Sequence, residues 1–279
     1  MILHEVIIRG GLGNQLFGLF YAYKFSQKPK NKVSLNILNY AFIKREDRVF
    51  LLNKLFPCIL DEFEINSRNS FYNYLLFYYS KIFEKLFVRS ISGRIPGDNP
   101  FYINYWPNKY LHSGYFQKIE ESEMDCKSLE LFKRKFTPFI KNKTINYLAI
   151  HIRRGDYLTK KHSIHGVISE KYLYEESKKQ IANYDFDGIT IFTDSPEFIN
   201  LDIFKSLHKN IKIDEGGNTL DVFKRMANHK GLIASNSSFS LWAGILGDID
   251  LFSLPYYWMK NVESSLLGLD NIPRYKCLL

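Results

Sequence analysis

Four short apolar segments of this chain are each followed directly by a glycine-rich or polar cluster, and this pattern constrains the fold most strongly. The segments are His4–Arg9, Tyr147–Ile150, Thr190–Thr193 and Gly231–Ala234. Helical patterns lie between and after them, at about 16–25, 170–182, 196–204, 219–228 and 239–246. Strands that alternate with helices are typical of parallel sheets with crossover helices. The sequence therefore predicts an α/β fold.

The four clusters should lie at the carboxyl ends of their strands, where open α/β sheets bind ligands. The first strand leads into Gly10–Gln15, and the second leads into His151–Tyr157, which contains two arginines, a histidine and an aspartate. The third strand leads into Asp194–Pro196 and the fourth into Ser235–Phe239. Two such sheets facing each other would bring all four clusters to one crevice.

The charge of the chain favours an anionic partner. Its 279 residues include 38 lysines and arginines against 29 aspartates and glutamates, a net charge of +9. Nucleotides, nucleic acids and an anionic membrane face all fit that charge. Arg153 and Arg154 are candidates for phosphate binding, because guanidinium groups match phosphate geometry bidentately. The alternative for the two arginines is an exposed charged loop.

Several clusters have a purely structural alternative. The glycine turn after the first strand resembles a dinucleotide fingerprint, but Leu16 stands at the third glycine and no Walker lysine follows, which disfavours a NAD site or a P-loop. The turn could still let backbone amides approach a phosphate or sugar, or simply join strand to helix. Ser237 and Ser238 could bind a pyrophosphate or cap a helix. Asp194 could bind a ribose or purine, or cap a helix near Pro196.

Two Asp-x-Asp triplets, Asp185–Asp187 and Asp248–Asp250, have the carboxylates that hard cations need. Both precede predicted strands and should lie at the amino ends, away from the ligand crevice. We therefore expect no metal requirement, with arginines neutralising the phosphates instead.

The cellular compartment is predicted from the absence of membrane-spanning and signal-peptide patterns in the sequence. We find no apolar run near the ~18 residues that would span a bilayer, and no signal-peptide layout after Met1, which predicts a cytoplasmic protein. Three scattered cysteines have neither disulfide nor zinc spacing and are interpreted as reduced. A polar stretch at Lys141–Lys143 suggests a soft domain boundary.

An aromatic helical stripe runs through Phe71–Phe87, with apolar residues at steps of three and four. Its members are Phe71, Tyr74, Leu75, Tyr78, Ile82 and Leu86. We expect it to pack on the protein's own core; peripheral contact with the inner membrane is the alternative.

Six motifs, in order along nearly the whole chain, resemble the bacterial α-1,2-fucosyltransferase family of the glycosyltransferase family 11 type. They are Gly10–Phe17, Gly114–Gln117, His151–Tyr157, His165–Val167, Phe192–Ser195 and Asn236–Trp242. Leu241 and Asn228 depart from the tryptophan and cysteine that relatives often carry. More broadly, the motifs resemble the superfamily that includes α-1,6- and protein O-fucosyltransferases.

The resemblance implies a GT-B-like α/β fold of two facing Rossmann-type lobes, with 1–145 on the acceptor side and 146–279 binding the GDP-sugar. It also implies a metal-independent, inverting galactoside α-1,2-fucosyltransferase that needs no cofactor besides its donor GDP-fucose. The acceptor would be a galactose-containing glycan or a lipid-linked galactoside in O-antigen or lipopolysaccharide synthesis.

Site residues follow from the resemblance by position. Arg153 would hold the β-phosphate, and His151 and Asp194 would contact guanine or ribose. Asn14 would lie near the departing oxygen and the acceptor hydroxyl. The other donor-binding candidates are Gly11, Gly13, Arg154, Ser237, Ser238 and Phe239. Acceptor contacts are assigned to Tyr115, Gln117 and His165.

Two questions stay open at the level of sequence. Asp156 and His165 are candidates for the general base, although Asp156 could instead pair with Arg154 to shape the loop. The donor could be another GDP-sugar, GDP-colitose or GDP-L-galactose, because the nucleotide contacts would be the same.

A basic nucleic-acid-binding protein is the alternative from another class. The aromatic residues follow core-like helical stripes rather than an exposed platform, so no nucleic-acid partner is expected.

Overall fold

The computed structural model divides the chain into two compact units, Met1–Ser128 and Leu129–Leu279. It describes residues 1–42, 49–67, 74–75, 77–79, 82, 101–117, 126–142, 144–159, 165–259, 262–263 and 276–277. The division falls before the polar stretch at Lys141, so residues 129–145 belong to the second unit. Phe132 explains this placement, because its ring packs 5.7 Å from that of Trp242.

The first unit contains a five-stranded sheet in the order β3-β2-β1-β5-β4. Its strands are β1 (Ile2–Ile7), β2 (Asn31–Asn36), β3 (Glu64–Asn66), β4 (Phe101–Trp106) and β5 (Lys109–Ser113). All pairs are parallel except β4 with β5. The helices are α1 (Leu12–Ser26), α2 (Leu38–Phe42), α3 (Leu52–Leu55) and α4 (Ile59–Glu62). Helix α1 is the crossover from β1 to the parallel strand β2, and it is largely buried.

The second unit contains a six-stranded parallel sheet in the order β13-β10-β9-β6-β7-β8. Its strands are β6 (Ile145–Ile152), β7 (Gly188–Thr193), β8 (Ile211–Ile213), β9 (His229–Ile233), β10 (Leu251–Leu254) and β13 (Lys276–Cys277). Strands β11 (Tyr257–Met259) and β12 (Val262–Glu263) form a separate antiparallel pair. The helices are α5 (Cys126–Phe136), α6 (Glu170–Asn183), α7 (Leu201–Lys205), α8 (Thr219–Ala227) and α9 (Ser238–Leu246). Helix α5 begins in the last residues of the first unit.

The central strands of the second sheet are nearly continuous apolar runs, and consecutive residues of β6 and β7 are buried, so both faces of these strands are covered. Leu148, Ile150, Ile189 and Ile191 are fully buried, and Leu173 of α6 packs into the same core. The α/β class predicted from the alternating pattern is confirmed.

Two predicted helices differ in extent from those observed. Helix α1 begins at Leu12 rather than Leu16, so Gly13 and Asn14 lie in its first turn and not in a loop before it. The predicted helix at 196–204 is a 3-10 turn at Pro196–Phe198 followed by α7. Asn200 separates the two because its side chain accepts a hydrogen bond from Asp202 N, which starts a new helix.

The aromatic stripe is exposed where the structure describes it. Tyr74, Leu75, Tyr78 and Ile82 are each at least 41% exposed, whereas Phe77, which lies off the stripe, is buried. The expectation that these four residues pack on the core is therefore wrong; Phe71 and Leu86 lie outside the described residues. The helical periodicity identified an apolar face, but whether that face is buried depends on which other part of the protein packs against it. Peripheral membrane contact stays a prediction, and none of the helices in the described ranges is long and apolar enough to cross a bilayer.

Candidate functional site

In the second unit, three of the four predicted clusters come together at the carboxyl ends of adjacent strands. Strand β6 lies between β7 and β9, so the segments that follow these strands are neighbours. Tyr157 Oη donates to the Asn236 carbonyl at 3.1 Å, which joins the segments after β6 and β9. An ion pair between Arg153 and Asp194 joins the segments after β6 and β7. The predicted placement of these clusters at the carboxyl ends of their strands is therefore confirmed, and the order of the strands makes them neighbours.

Arg153 is held between two carboxylates. Its Nη2 lies 2.8 Å from Asp156 Oδ1, and its Nη1 lies 2.9 Å from Asp194 Oδ2. The guanidinium carbon also lies 5.5 Å from the centre of the Tyr157 ring, a cation–π distance. The side chain is 32% exposed, so the guanidinium is oriented but still accessible. The suggested pairing of Asp156 with Arg154 is wrong, because Asp156 pairs with Arg153.

Arg154 points into the protein. It is 8% exposed, and its Nη1 donates to the carbonyls of Arg153 and Ile168 at 3.2 and 2.9 Å. Nη2 lies 3.8 Å from Glu170 Oε1, and burial lowers the pKa of this arginine. These contacts stabilise the loop. The donor-binding role of Arg154 stays a prediction, and none of these contacts supports it.

Asp194 organises the backbone after β6. Its Oδ1 accepts from Arg154 N at 2.9 Å, and Ser195 Oγ accepts from Gly155 N at 3.1 Å. A β-carbon on Gly155 would clash with Asp194 Oδ2. Asp194 therefore positions Arg153 directly, through the ion pair, and indirectly, through the loop backbone. The helical turn that follows has Ser195 at its N-cap position, so Asp194 does not cap it. Its predicted contact with guanine or ribose stays a prediction.

His151 lies at the end of β6, not after it. It is buried, its Nδ1 lies 2.8 Å from Ser235 Oγ, and its ring centre lies 6.2 Å from that of Phe239. Burial, followed by the charge of Arg153, lowers the pKa of His151 to about 3. The imidazole is therefore neutral at physiological pH and can serve as a hydrogen-bond partner but not as a cation.

Helix α9 begins beside this cluster. Ser237 is its N-cap and accepts from Phe239 N at 3.4 Å, so the capping alternative describes its hydroxyl. Ser238 and Phe239 are half-buried in the first turn. The unpaired amides at such a helix start favour an anionic ligand.

His165, predicted to contact the acceptor, lies in the second unit against Tyr157. The two rings stack with centres 4.7 Å apart and an interplanar angle of 12°. Asn236 Nδ2 donates to the His165 carbonyl at 2.6 Å, which fixes the segment that carries this histidine. The sequence analysis assigned no role to Asn236, although its position between a strand and a helix N-cap was a usable signal.

The fourth cluster belongs to the first unit. Gly11 is the exposed N-cap of α1, Gly13 is buried in its first turn, and Asn14 is half-buried. Gln117 Nε2 donates to Asn14 Oδ1 at 3.1 Å, so two residues predicted for catalysis and acceptor binding are in contact.

Arg9 was missed by the sequence analysis. It is 5% exposed, hydrogen-bonds to Ser113 Oγ, and lies 5.4 Å from the centre of the Tyr115 ring. A charged residue directly before the glycine turn was the signal that pointed to it. Tyr115, predicted to contact the acceptor, thus packs on a buried cation in the first unit.

The Asp-x-Asp triplets lie at the amino ends of β7 and β10, as predicted. Asp187 accepts from Asn146 Nδ2 at 3.1 Å, and Asp250 pairs with Lys230 at 2.5 Å. Asp248 pairs with Lys133 at 2.7 Å. These carboxylates therefore stabilise loops on the side of the sheet opposite the arginine cluster.

An oriented arginine and a helix start at the strand ends of a parallel α/β unit are features found in folds that bind phosphorylated ligands at this edge. The model of Glycosyl transferase family 11 matches residues 61–260. The chain belongs to this family and is a glycosyltransferase.

Two curated relatives come from Escherichia coli. An α-1,2-colitosyltransferase is 28% identical over 275 residues, which cover 92% of each chain. The O-antigen biosynthesis glycosyltransferase WbnK is 25% identical, covering 95% of this chain and 97% of the relative.

Two solved structures are also similar. Fucosyltransferase NodZ from Bradyrhizobium is 12% identical with a TM-score of 0.40, covering 90% of this chain and 94% of that chain. Heptosyltransferase WaaC from E. coli, solved with ADP, is 11% identical with a TM-score of 0.44, covering 96% and 90%.

Proposed function

We propose that this chain transfers L-fucose from GDP-fucose to the 2-hydroxyl of a galactoside, with inversion and without a metal. The acceptor in this proposal is a galactose-containing glycan or a lipid-linked galactoside, and the setting is cytoplasmic synthesis of O-antigen or a similar surface polysaccharide. Family membership supports the glycosyl transfer, and the names of the two E. coli relatives support the α-1,2 linkage and the O-antigen setting; the choice of L-fucose rests on the family resemblance of the motifs.

The observation that carries the proposal is the placement of Arg153. Its guanidinium is oriented by Asp156 and Asp194, remains partly exposed, and lies in the same cluster as the start of α9. A guanidinium held in this way offers its remaining N–H groups to a phosphate without a large reorganisation cost. Arg153 is therefore assigned to the diphosphate of the donor.

The chemistry follows from charge. The bond between the sugar C1 and the phosphate oxygen breaks, and its electron pair goes to the diphosphate. The acceptor oxygen forms the new bond to C1, and its proton passes to a base. Because negative charge grows on the diphosphate, a preorganised arginine stabilises the transition state more than the bound substrate. Losing one such donor typically lowers the rate about 10²–10³-fold.

The neutral His151 is assigned to the nucleoside, together with Phe239. Its ring nitrogen toward Ser235 is already occupied, so the other nitrogen is the one proposed to contact the ribose or guanine. Gly11, Gly13 and Asn14, which lie in the first unit, stay donor contacts that only the family resemblance implies.

GDP-colitose is the second candidate donor. The observation that favours it is the 28% identity to an α-1,2-colitosyltransferase over 92% of both chains. Colitose differs from fucose by the absence of the 3-hydroxyl, so the nucleotide contacts would be the same for either donor. Side chains near the sugar ring would decide between them.

The test begins with ligand binding. GDP should raise the melting temperature by mass action, and UDP and NAD should not. The chain is then incubated with GDP-fucose or GDP-colitose and a panel of β-galactosides, with linkage analysis of the product. An α-1,2-fucosylated product that still forms in EDTA supports the proposal, and dependence on manganese would overturn its metal-free part.

Two variants complete the test. Arg153→Ala should lower turnover by about 10²–10³-fold and leave the fold intact. Arg134→Ala removes an exposed arginine of α5 and should leave turnover unchanged. Salt-sensitive binding to random oligonucleotides, without stabilisation by GDP, would favour the nucleic-acid alternative instead.

A further inference from the structure

The segment after β5 makes an unusual backbone turn. Phe116 has φ +56°, in the left-handed region that residues with a β-carbon rarely adopt. Its ring is 2% exposed and stacks on Tyr21 of α1, with ring centres 4.2 Å apart and an interplanar angle of 20°. The buried ring therefore holds an unfavourable backbone conformation in place. Such conformations concentrate at functional sites, because the surrounding structure must compensate for them.

This turn directs Gln117 to the start of α1. The side chain is buried, and its Nε2 donates to Asn14 Oδ1 at 3.1 Å. A carboxamide has one oxygen and one NH₂ group at opposite corners. When Gln117 occupies the oxygen of Asn14, the NH₂ group becomes the part of Asn14 that is available to a ligand.

Gly10 leaves space beside that NH₂ group. A β-carbon at position 10 would lie 2.8 Å from Asn14 Nδ2, and Gly10 has φ +78°, which also favours glycine. The glycine before the helix and the glutamine after β5 therefore act on the same carboxamide from two sides. One engages its oxygen, and the other leaves space beside its nitrogen.

We propose that Gln117 is a positioning residue that fixes the Asn14 carboxamide with Nδ2 as its outward hydrogen-bond donor. This inference rests on the proposed function. An amide N–H stabilises an oxygen that gains negative charge but cannot take up a proton, so its chemistry suits the departing phosphate oxygen rather than removal of a proton from the acceptor hydroxyl. Gln117 thereby acts through Asn14 and is not assigned a direct acceptor contact.

The test is a double-mutant cycle measured with a donor that the wild type turns over. Gln117→Ala should lower kcat by about tenfold, with the KM for the donor and the GDP-induced rise in melting temperature largely kept. In the Asn14→Ala background the same substitution should have little further effect on kcat, because the group it positions is gone. An equal loss in both backgrounds would overturn the proposal.

Gln117→Glu provides a variant of nearly the same size. A carboxylate cannot donate to Asn14 Oδ1, so the Asn14 carboxamide should turn its NH₂ group toward position 117 and lose its outward donor. We expect kcat at least as low as in Gln117→Ala, and wild-type turnover by Gln117→Glu would contradict the proposal. Gln27→Ala, at the exposed far end of α1, is the matched control and should not change kcat.

A readout without turnover separates this inference from the proposed function. The side-chain amide resonances of Gln117, assigned by their loss in Gln117→Ala, should shift in Asn14→Ala if the hydrogen bond exists in solution. A wild-type chain inert toward both donors would refute the proposed function while a shifted resonance upheld the contact. Unshifted resonances would overturn the positioning role whatever the donor.

Discussion

Asp194 Oδ2 and Arg153 Nη1 lie 2.9 Å apart, and this ion pair joins the ends of two neighbouring strands. The contact depends on Gly155, because a β-carbon there would occupy the position of the Asp194 carboxylate. The orientation of Arg153 thus depends on Asp194, about forty positions away, and on the lack of a side chain at Gly155, two positions away.

Gly155→Ala should displace Asp194 and misorient Arg153. We expect a destabilisation of about 1–3 kcal/mol, the usual cost of overpacking, together with weaker GDP binding. Urea unfolding and a GDP titration measure the two effects. In an Asp194→Ala background the added methyl group should cost less stability, since the clashing carboxylate is absent. Equal costs in the two backgrounds would show that the clash is not the cause.

Asp156→Asn tests whether Asp156 braces Arg153 or removes the acceptor proton. An asparagine oxygen can still accept from Arg153 Nη2, so as a brace the variant should lose less than about tenfold in kcat, whereas loss of a general base costs about 10²–10⁴-fold. The measurement is kcat against pH with saturating donor. Near-complete loss of kcat with unchanged GDP affinity would assign the base role to Asp156.

Tyr157→Phe should cost stability but spare the ligand. The hydroxyl donates to the Asn236 carbonyl at 3.1 Å, and burial raises the pKa of Tyr157 to about 12, so it is a neutral donor. Its removal should lower the free energy of unfolding by about 0.5–1.5 kcal/mol. GDP affinity should change little, because the ring beside Arg153 and His165 remains. Thermal unfolding with and without GDP distinguishes these effects, and a GDP shift that disappears would contradict the prediction.

Acid should destabilise the protein through buried histidines. In the first unit His112 is 2% exposed, with Nε2 2.8 Å from His4 Nδ1 and Nδ1 3.0 Å from Tyr21 Oη. Burial, then the nearby His4, lowers the pKa of His112 to about 3, and His151 of the second unit has a similar value.

Below the unfolded-state pKa of about 6.5, the unfolded chain binds protons that the folded chain does not. The stability that these neutral imidazoles contribute is complete above that pH and is lost as the pH falls toward 3. Each histidine should contribute a slope of up to about 1.4 kcal/mol per pH unit between pH 6 and 5. Urea unfolding across this range measures it. His112→Gln should reduce the slope, and an unchanged slope would show that His112 is not a cause.

Gly10 and Gly11 should respond differently to alanine. A β-carbon on Gly11 would meet no heavy atom within 4 Å, and its φ is −73°, so Gly11→Ala should change stability by less than about 0.5 kcal/mol. Gly10→Ala combines an unfavourable φ with a clash against Asn14 and should be clearly less stable. Thermal unfolding compares the pair. If Gly11→Ala weakens GDP binding without destabilising the fold, the ligand approaches the backbone at this position.

Much of the fold could be predicted because it follows from local patterns. Apolar runs of strand length, helical periodicity and the polar segments after each strand depend on residues close in sequence, and they predicted the parallel sheets. They also predicted that the His151, Asp194 and Ser237 segments follow strand ends, and the sheet order then made those segments neighbours. The Asp-x-Asp triplets were likewise placed correctly at amino ends.

Side-chain orientation and partner choice could not be predicted in this way. Arg153 and Arg154 are adjacent, yet Arg153 faces two carboxylates at the strand ends and Arg154 is buried against the carbonyl of Ile168. The aromatic stripe through Tyr74 and Tyr78 had helical periodicity but no covering surface in the described part of the chain.

The sequence by itself determined the α/β class, four of the strands with the helices next to them, and the chemical types at the ends of those strands, because short-range periodicity and turn chemistry encode them. Only the tertiary structure decided which arginine is presented, which carboxylates orient it, and that a left-handed Phe116 brings Gln117 to Asn14. Those outcomes depend on contacts between residues tens of positions apart, and on the space available when elements pack.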